Sequence, residues 1–103
     1  MIDEVAKHRE ALRALCRNNH VRRLELFGSA ARGDFDPERS DFDFLVEFAS
    51  DGERPASLKA YFDFKSSLEA LLGRPVDLVE YGSLRNPYLK ASIDLSREPV
   101  FET

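Results

Sequence analysis

The stretch that decides the fold is LFGSAARGDFDPERSDFDFLVEF, residues 26–48, because it joins two strand-like segments through a polar turn. Residues 21–27, VRRLELF, alternate in hydrophobicity and predict a strand that ends at Gly28. Residues 33–40, GDFDPERS, are rich in the residue types that form turns. Residues 41–48, DFDFLVEF, alternate again and predict a second strand with two chemically different faces.

The two faces of this second strand separate apolar from acidic side chains. One face carries Phe42, Phe44, Val46 and Phe48, and the other carries Asp41, Asp43, Leu45 and Glu47. Asp41 and Asp43 therefore point the same way, roughly 7 Å apart at Cα. Two carboxylates at this spacing repel each other unless a cation lies between them, and Mg²⁺ prefers such oxygen ligands. The pair is either a solvated surface feature or part of a cation site.

The rest of the chain predicts further helices and strands. Helical spacing of apolar residues predicts helices over residues 3–19 and 57–72, and a last short helix over residues 88–95. Residues 75–81, PVDLVEY, predict a third strand, and the tail EPVFET, residues 98–103, is either a short extra strand or simply extended.

The order of these elements predicts an α/β chain of the α+β type, with a small mixed sheet of three to four strands and helices mainly on one face. The second and third strands are joined through a helix, which favours a parallel pair with a right-handed crossover. The connection between the first two strands is shorter and leaves their relative direction open.

The composition limits what the protein can be. The 103 residues fit one domain, 1–103, and 43% of them are hydrophobic. A net charge of −4 disfavours a long nucleic acid as a stable partner. Without an apolar leader or a membrane-length segment, and with Cys16 as the one cysteine, the chain is expected in a reducing cytoplasm and away from membranes. Cys16 lies in a helical apolar pattern, which favours packing over chemistry.

Two more features sharpen the case for a site. Asp77 is the lone acid in the apolar strand VDLV, and a buried charge is costly unless it is paired or bound to metal. Gly28-Ser29 follows the first strand, where glycine allows backbone amides to approach a phosphate closely. The combination of Gly-Ser after a strand, Asp-x-Asp on the next strand and Asp77 on a third is more specific than any of its parts.

This combination resembles the signature of the minimal nucleotidyltransferases, in the DNA polymerase beta-like nucleotidyltransferase superfamily. That signature is a Gly-Ser, a spacer of about ten residues and an Asp-x-Asp, and LLGRPVDLVEY, residues 71–81, resembles the strand that carries the third carboxylate. The resemblance covers essentially the whole chain and implies the polymerase beta-like fold. Here the spacer between Ser29 and Asp41 has eleven residues, and the extra one falls most easily in the turn.

The resemblance also implies roles for individual residues. Gly28 and Ser29 would bind the triphosphate of ATP. Arg32 would either lie near the nucleotide or support a short helix. Two Mg²⁺ ions would be held by the catalytic carboxylates Asp41, Asp43 and Asp77, and Asp77 would help to deprotonate the attacking hydroxyl.

The resemblance and the small size together predict an antitoxin. Small members of the family transfer AMP from ATP to a tyrosine of a HEPN-domain ribonuclease toxin, and a hetero-oligomer with that toxin is expected. The alternatives are an antitoxin that neutralises the toxin by binding alone, and nucleotidyl transfer to a small molecule or to tRNA. Apolar residues near the C-terminus are either a protein-binding patch or core; they are Tyr88, Leu89, Ile93, Leu95 and Phe101.

Overall fold

The computed structural model describes residues 3–28, 31, 41–49, 58–81 and 87–102. Its helices are α1 (Asp3–Ala6), α2 (Arg9–Asn18), α3 (Leu58–Leu72) and α4 (Pro87–Ser96). Its strands are β1 (Val21–Phe27), β2 (Phe42–Phe48), β3 (Val76–Glu80) and β4 (Glu98–Glu102). None of the helices in these ranges is long and apolar enough to cross a membrane.

The four strands form one mixed sheet in the order β3-β2-β1-β4. β2 and β3 are parallel, as their connection through α3 predicts. β1 is antiparallel to both of its neighbours, β2 and β4. This settles the direction that the sequence left open, and it shows that the C-terminal tail adds a fourth strand. The predicted fold class, a small mixed sheet with helices, is confirmed.

The main core lies on the face of the sheet that carries the phenylalanines of β2. Phe42 and Phe44 are fully buried there, as the alternation predicts. Buried residues of the helices cover this face and include Val5 of α1, Leu12 and Cys16 of α2, and Phe64 and Leu68 of α3. At roughly 25 cal/mol per Å² of buried apolar area, this face provides most of the driving force that holds the strands in register.

A second, smaller core lies on the opposite face, beneath α4. Ile93 of α4 packs with Phe27, Leu45 and Val79, and three of the four side chains are buried. Helices therefore cover both faces, three on one and α4 on the other, in agreement with the prediction that they lie mainly on one face. Ile93 and Phe101 are core residues, whereas Tyr88 is 86% exposed; Leu89 and Leu95 have no described side-chain surroundings.

The chain turns between α1 and α2, where the sequence predicts one continuous helix. The amide of His8 donates to the carbonyl of Val5 at 3.1 Å, which is the spacing of a turn and not of an α-helix. At the start of α2, the amide of Leu12 donates to the carbonyl of His8 at 2.8 Å. Val5, which precedes the turn, is part of the main core.

The buried thiol of Cys16 gives a first testable expectation. Burial raises its pKa to about 12, from 9.0 in the ordinary thiol. Because only the thiolate is nucleophilic, the reactive fraction of Cys16 falls about a thousandfold. We expect a disulfide reagent such as DTNB to modify the native chain at least that much more slowly than the urea-unfolded chain. Fast modification of the native chain would place Cys16 outside the core.

Candidate active site

Three of the predicted site residues lie at one end of the sheet on neighbouring strands. Gly28 follows β1, and Asp43 and Asp77 are the second residues of β2 and β3. In the register of the sheet, Phe27 pairs with Asp43, and Asp43 pairs with Asp77. Neighbouring strands lie about 4.8 Å apart, so the two aspartates are adjacent on one face. The sheet thus brings together residues from three separate sequence motifs.

Gly28 has a backbone conformation that few other residues adopt. Its φ is +74°, in the left-handed region. A Cβ atom built on Gly28 would lie 2.3 Å from Oδ2 of Asp43 and 3.2 Å from its Cγ. The carboxylate of Asp43 therefore occupies the space that any other side chain at position 28 would need. The sequence predicts a close backbone approach here to a phosphate; within the protein, the close approach is to a carboxylate.

Both backbone polar groups of Gly28 have partners inside the protein. Its N–H donates to Oγ of Ser96 at 3.1 Å, and its carbonyl accepts the N–H of Ala31 at 3.1 Å. The second bond joins residues three positions apart, which is the spacing of a turn. The amide of Gly28 is consequently not an open donor in this structure.

The three carboxylates differ in exposure. Asp41 precedes β2 and is exposed, Asp43 is half-buried, and Asp77 is exposed. Successive extended residues alternate in direction, which puts Asp41 on the side of Asp43. Within the part of the chain that the structure describes, no three His, Cys, Asp or Glu side chains are arranged as a metal site. Their catalytic and metal-binding roles stay predictions.

Two of the predicted nucleotide-binding residues, Ser29 and Arg32, lie outside the described residues. So does most of the eleven-residue spacer, including the acids Asp34, Asp36 and Glu38.

Tyr61 of α3 lies close enough to Asp77 for its hydroxyl to be affected by the charge of that carboxylate. Its hydroxyl donates to the carbonyl of Leu78. Its pKa is raised by burial and, to a smaller extent, by the negative charges of Asp77 and Glu80. An open groove of about 430 Å³ lies here, lined by Leu58, Tyr61, Leu78, Val79 and Glu80. The position of Tyr61 in an amphipathic helix gives no signal of this contact in the sequence.

The model of the nucleotidyltransferase domain matches residues 8–98, which include Gly28, Asp43 and Asp77. The chain belongs to the nucleotidyltransferase domain family. The predictions of the family and of nucleotidyltransferase activity are thereby confirmed.

Two relatives of this nucleotidyltransferase share much of its sequence. A protein of Methanocaldococcus jannaschii that is named as a protein adenylyltransferase is 41% identical over 92 residues, which cover 89% of this chain and 86% of the relative. The protein adenylyltransferase MntA of Thermococcus cleftensis is 41% identical over 81 residues, which cover 79% of this chain and 74% of the relative.

Solved structures agree with the nucleotidyltransferase fold. A structure described as a minimal nucleotidyltransferase is 35% identical to this chain and has a TM-score of 0.73. The match covers 91% of this chain and 90% of the other. A complex of a tri-AMPylated HEPN toxin with its MNT antitoxin, from Shewanella oneidensis, has a TM-score of 0.68 at 21% identity, with 96% of this chain and 73% of the other covered. The second likeness concerns the fold alone.

Proposed function

We propose that this nucleotidyltransferase is a Mg²⁺-dependent antitoxin that transfers AMP from ATP to a tyrosine of a HEPN-domain ribonuclease toxin and so neutralises it. The observation that carries the proposal is the alignment of Gly28, Asp43 and Asp77 on three neighbouring strands. The names of the two relatives as protein adenylyltransferases support AMP as the transferred group and a protein as the acceptor.

The donor set at this end of the sheet fits Mg²⁺. Asp41, Asp43 and Asp77 offer hard carboxylate oxygens, and two of them are paired in register. Asp41 and Asp77 are exposed, so both side chains are free of steric enclosure and can turn toward a shared ion. When bound, Mg²⁺ supplies charge neutralisation on the phosphates.

The residues of the chain then have separate tasks. The turn that Gly28 begins, with Ser29, binds the triphosphate, and Arg32 either contacts the nucleotide or supports the turn. Asp77 accepts the proton of the tyrosine hydroxyl as general base. The hydroxyl oxygen attacks the α-phosphorus in line, the bond from the α-phosphorus to the bridging oxygen breaks, and pyrophosphate leaves. Positioning and charge account for most of the rate.

The acceptor can approach from the groove between α3 and β3. Leu58 and Tyr61 form one wall and β3 the other, and Leu58 is 74% exposed. Apolar walls next to a carboxylate suit an aromatic ring that carries a hydroxyl. The position of the groove at the open edge of the sheet leaves room for a segment of a partner protein.

The proposal predicts a gain in mass. The protein is incubated with ATP, Mg²⁺ and a HEPN-domain toxin encoded beside it, and the toxin is measured by intact mass. We expect additions in multiples of AMP, and Asp41→Ala/Asp43→Ala should abolish them. The matched control is Glu10→Ala/Asp63→Ala, which removes one exposed acid of α2 and one of α3 and should leave the transfer unchanged.

The same variants separate catalysis from inhibition by contact. A toxin that gains no AMP, with wild type and Asp41→Ala/Asp43→Ala behaving alike, contradicts the proposal. If the double variant still neutralises the toxin in cells at normal expression, binding alone is the function. The burial of Ile93 and Phe101 in the core reduces the apolar patch on which that alternative depends.

A further inference from the structure

The last turn of α4 holds Gly28 through a hydrogen bond to its N–H. The hydroxyl oxygen of Ser96 accepts the N–H of Gly28 at 3.1 Å, across 68 positions of sequence. Gly28 also lies against the carboxylate of Asp43, which occupies the space that a Cβ atom would need. The glycine that begins the predicted phosphate loop thus contacts both a helix end and a predicted catalytic carboxylate.

The end of α4 is itself fixed to the sheet, so Ser96 is a firm point of attachment. Ile93, one turn earlier, is 1% exposed and packs in the smaller core. Next to Ser96, the guanidinium of Arg97 lies 2.9 Å from Oε2 of Glu25, a β1 residue that is only 5% exposed. The amide of Arg97 closes the helix on the carbonyl of Ile93 at 2.7 Å.

We propose that Ser96 is a positioning residue for nucleotidyl transfer. Its hydroxyl oxygen accepts the N–H of Gly28 and holds this residue in its left-handed conformation at φ +74°, where the predicted triphosphate-binding turn begins. Nothing in the sequence around Ser96 indicates this role, since its partner Gly28 lies 68 positions earlier in the chain. The inference rests on the proposed function of the site.

The test compares Ser96→Val with Ser96→Thr, because valine and threonine have the same shape and only threonine keeps the hydroxyl. Binding of AMP-PNP with Mg²⁺ is measured by calorimetry, and KM for ATP and kcat are measured for AMP transfer. We expect Ser96→Val to weaken AMP-PNP binding and to raise KM about fivefold, the range of one hydrogen bond, with a smaller change in kcat. Ser96→Thr should stay near the wild type.

A matched control removes a hydroxyl elsewhere. Ser67→Ala deletes a hydroxyl that donates to the carbonyl of Asp63 in its own helix, and it should change neither constant. Thermal melting is recorded for every variant, and Ser96→Ala serves as a third variant if valine disturbs the helix end.

The outcomes separate the inference from the function on which it rests. Wild-type protein that binds AMP-PNP, together with Ser96→Val and Ser96→Ala variants that bind it equally well, would overturn the role of Ser96 alone. Equal losses in Ser96→Val and Ser96→Thr would also overturn it, because the hydroxyl would then be irrelevant. Wild-type protein that neither binds AMP-PNP nor transfers AMP would overturn the proposed function and the inference together.

Discussion

Gly28→Ala should reduce AMP transfer by about two orders of magnitude, the loss that a catalytic group displaced by about 1 Å can cause. The added Cβ atom would lie 2.3 Å from Oδ2 of Asp43, closer than two such atoms can approach. The end of a flexible side chain moves more readily than a strand backbone, so we expect the carboxylate of Asp43 to swing away. The protein should therefore keep its fold and lose the position of one predicted ligand.

Gly73→Ala is the control for backbone strain. Gly73 has φ +69°, close to the +74° of Gly28, and a Cβ atom built there meets nothing within 4 Å. A left-handed alanine costs roughly 1–2 kcal/mol at either position. Urea unfolding should thus show similar losses of stability for the two variants, whereas only Gly28→Ala should lose activity. A Gly28→Ala variant as active as Gly73→Ala would disconnect Gly28 from the site.

The sequence predicts the strands of the sheet well because the apolar residues that alternate along a strand are the ones that the structure buries. In DFDFLVEF every second residue is apolar, and the structure buries Phe42 and Phe44 completely. The parallel pairing of β2 and β3 follows from the helix between them. The antiparallel pairing of β1 with β2 does not follow, because the intervening residues are compatible with either direction. The break between α1 and α2 has no proline or glycine to mark it.

The sequence predicts which residues form the candidate site, but it does not predict which of them contact each other. Alternation places Asp41 and Asp43 on one side of β2, and the apolar surroundings of Asp77 single it out. The register that sets Asp77 beside Asp43 depends on the whole sheet. The bond from Gly28 to Ser96 joins distant parts of the chain, and no local pattern encodes it. Glu25 shows the same limit, since Arg97, the cation that lies 2.9 Å from it, comes 72 positions later in the chain.

Asp77→Asn should lower kcat by about 10²- to 10⁴-fold, the usual contribution of a general base. Asparagine has almost the shape of aspartate, so the groove beside Tyr61 keeps its walls. It carries no charge and accepts no proton from a hydroxyl. The loss should appear in kcat more than in the binding of AMP-PNP, because proton transfer occurs only in the transition state.

The same substitution should leave the protein at least as stable as the wild type. Asp77 pairs in register with Asp43 on the neighbouring strand, and like charges at such positions destabilise a sheet by up to about 1 kcal/mol. Within the described residues Asp77 takes part in no ion pair that its removal would break. Asp77→Asn is therefore expected to raise the free energy of unfolding slightly, or to leave it unchanged.

Glu25→Gln is the structural counterpart of Asp77→Asn. Glu25 is 5% exposed and lies 2.9 Å from Arg97 and 3.8 Å from Arg23. Its neutralisation removes a buried negative charge that faces both cations, although Arg23 keeps Glu47 at 2.7 Å. We expect a loss of about 2 kcal/mol in the free energy of unfolding. AMP transfer should fall no further than in Ser96→Val, because Glu25 is connected to the site through Arg97 and the adjacent Ser96.

Asp77→Asn should therefore lower mainly the activity, and Glu25→Gln mainly the stability. Activity is measured by AMP transfer and stability by urea unfolding. If Asp77 serves catalysis, its repulsion from Asp43 lowers the stability of the protein. If Glu25 serves the fold, its attraction to the neighbouring arginines raises the stability. If Asp77→Asn lost stability as Glu25→Gln does and kept its activity, Asp77 would be a structural residue. The general base would then have to be sought outside β3.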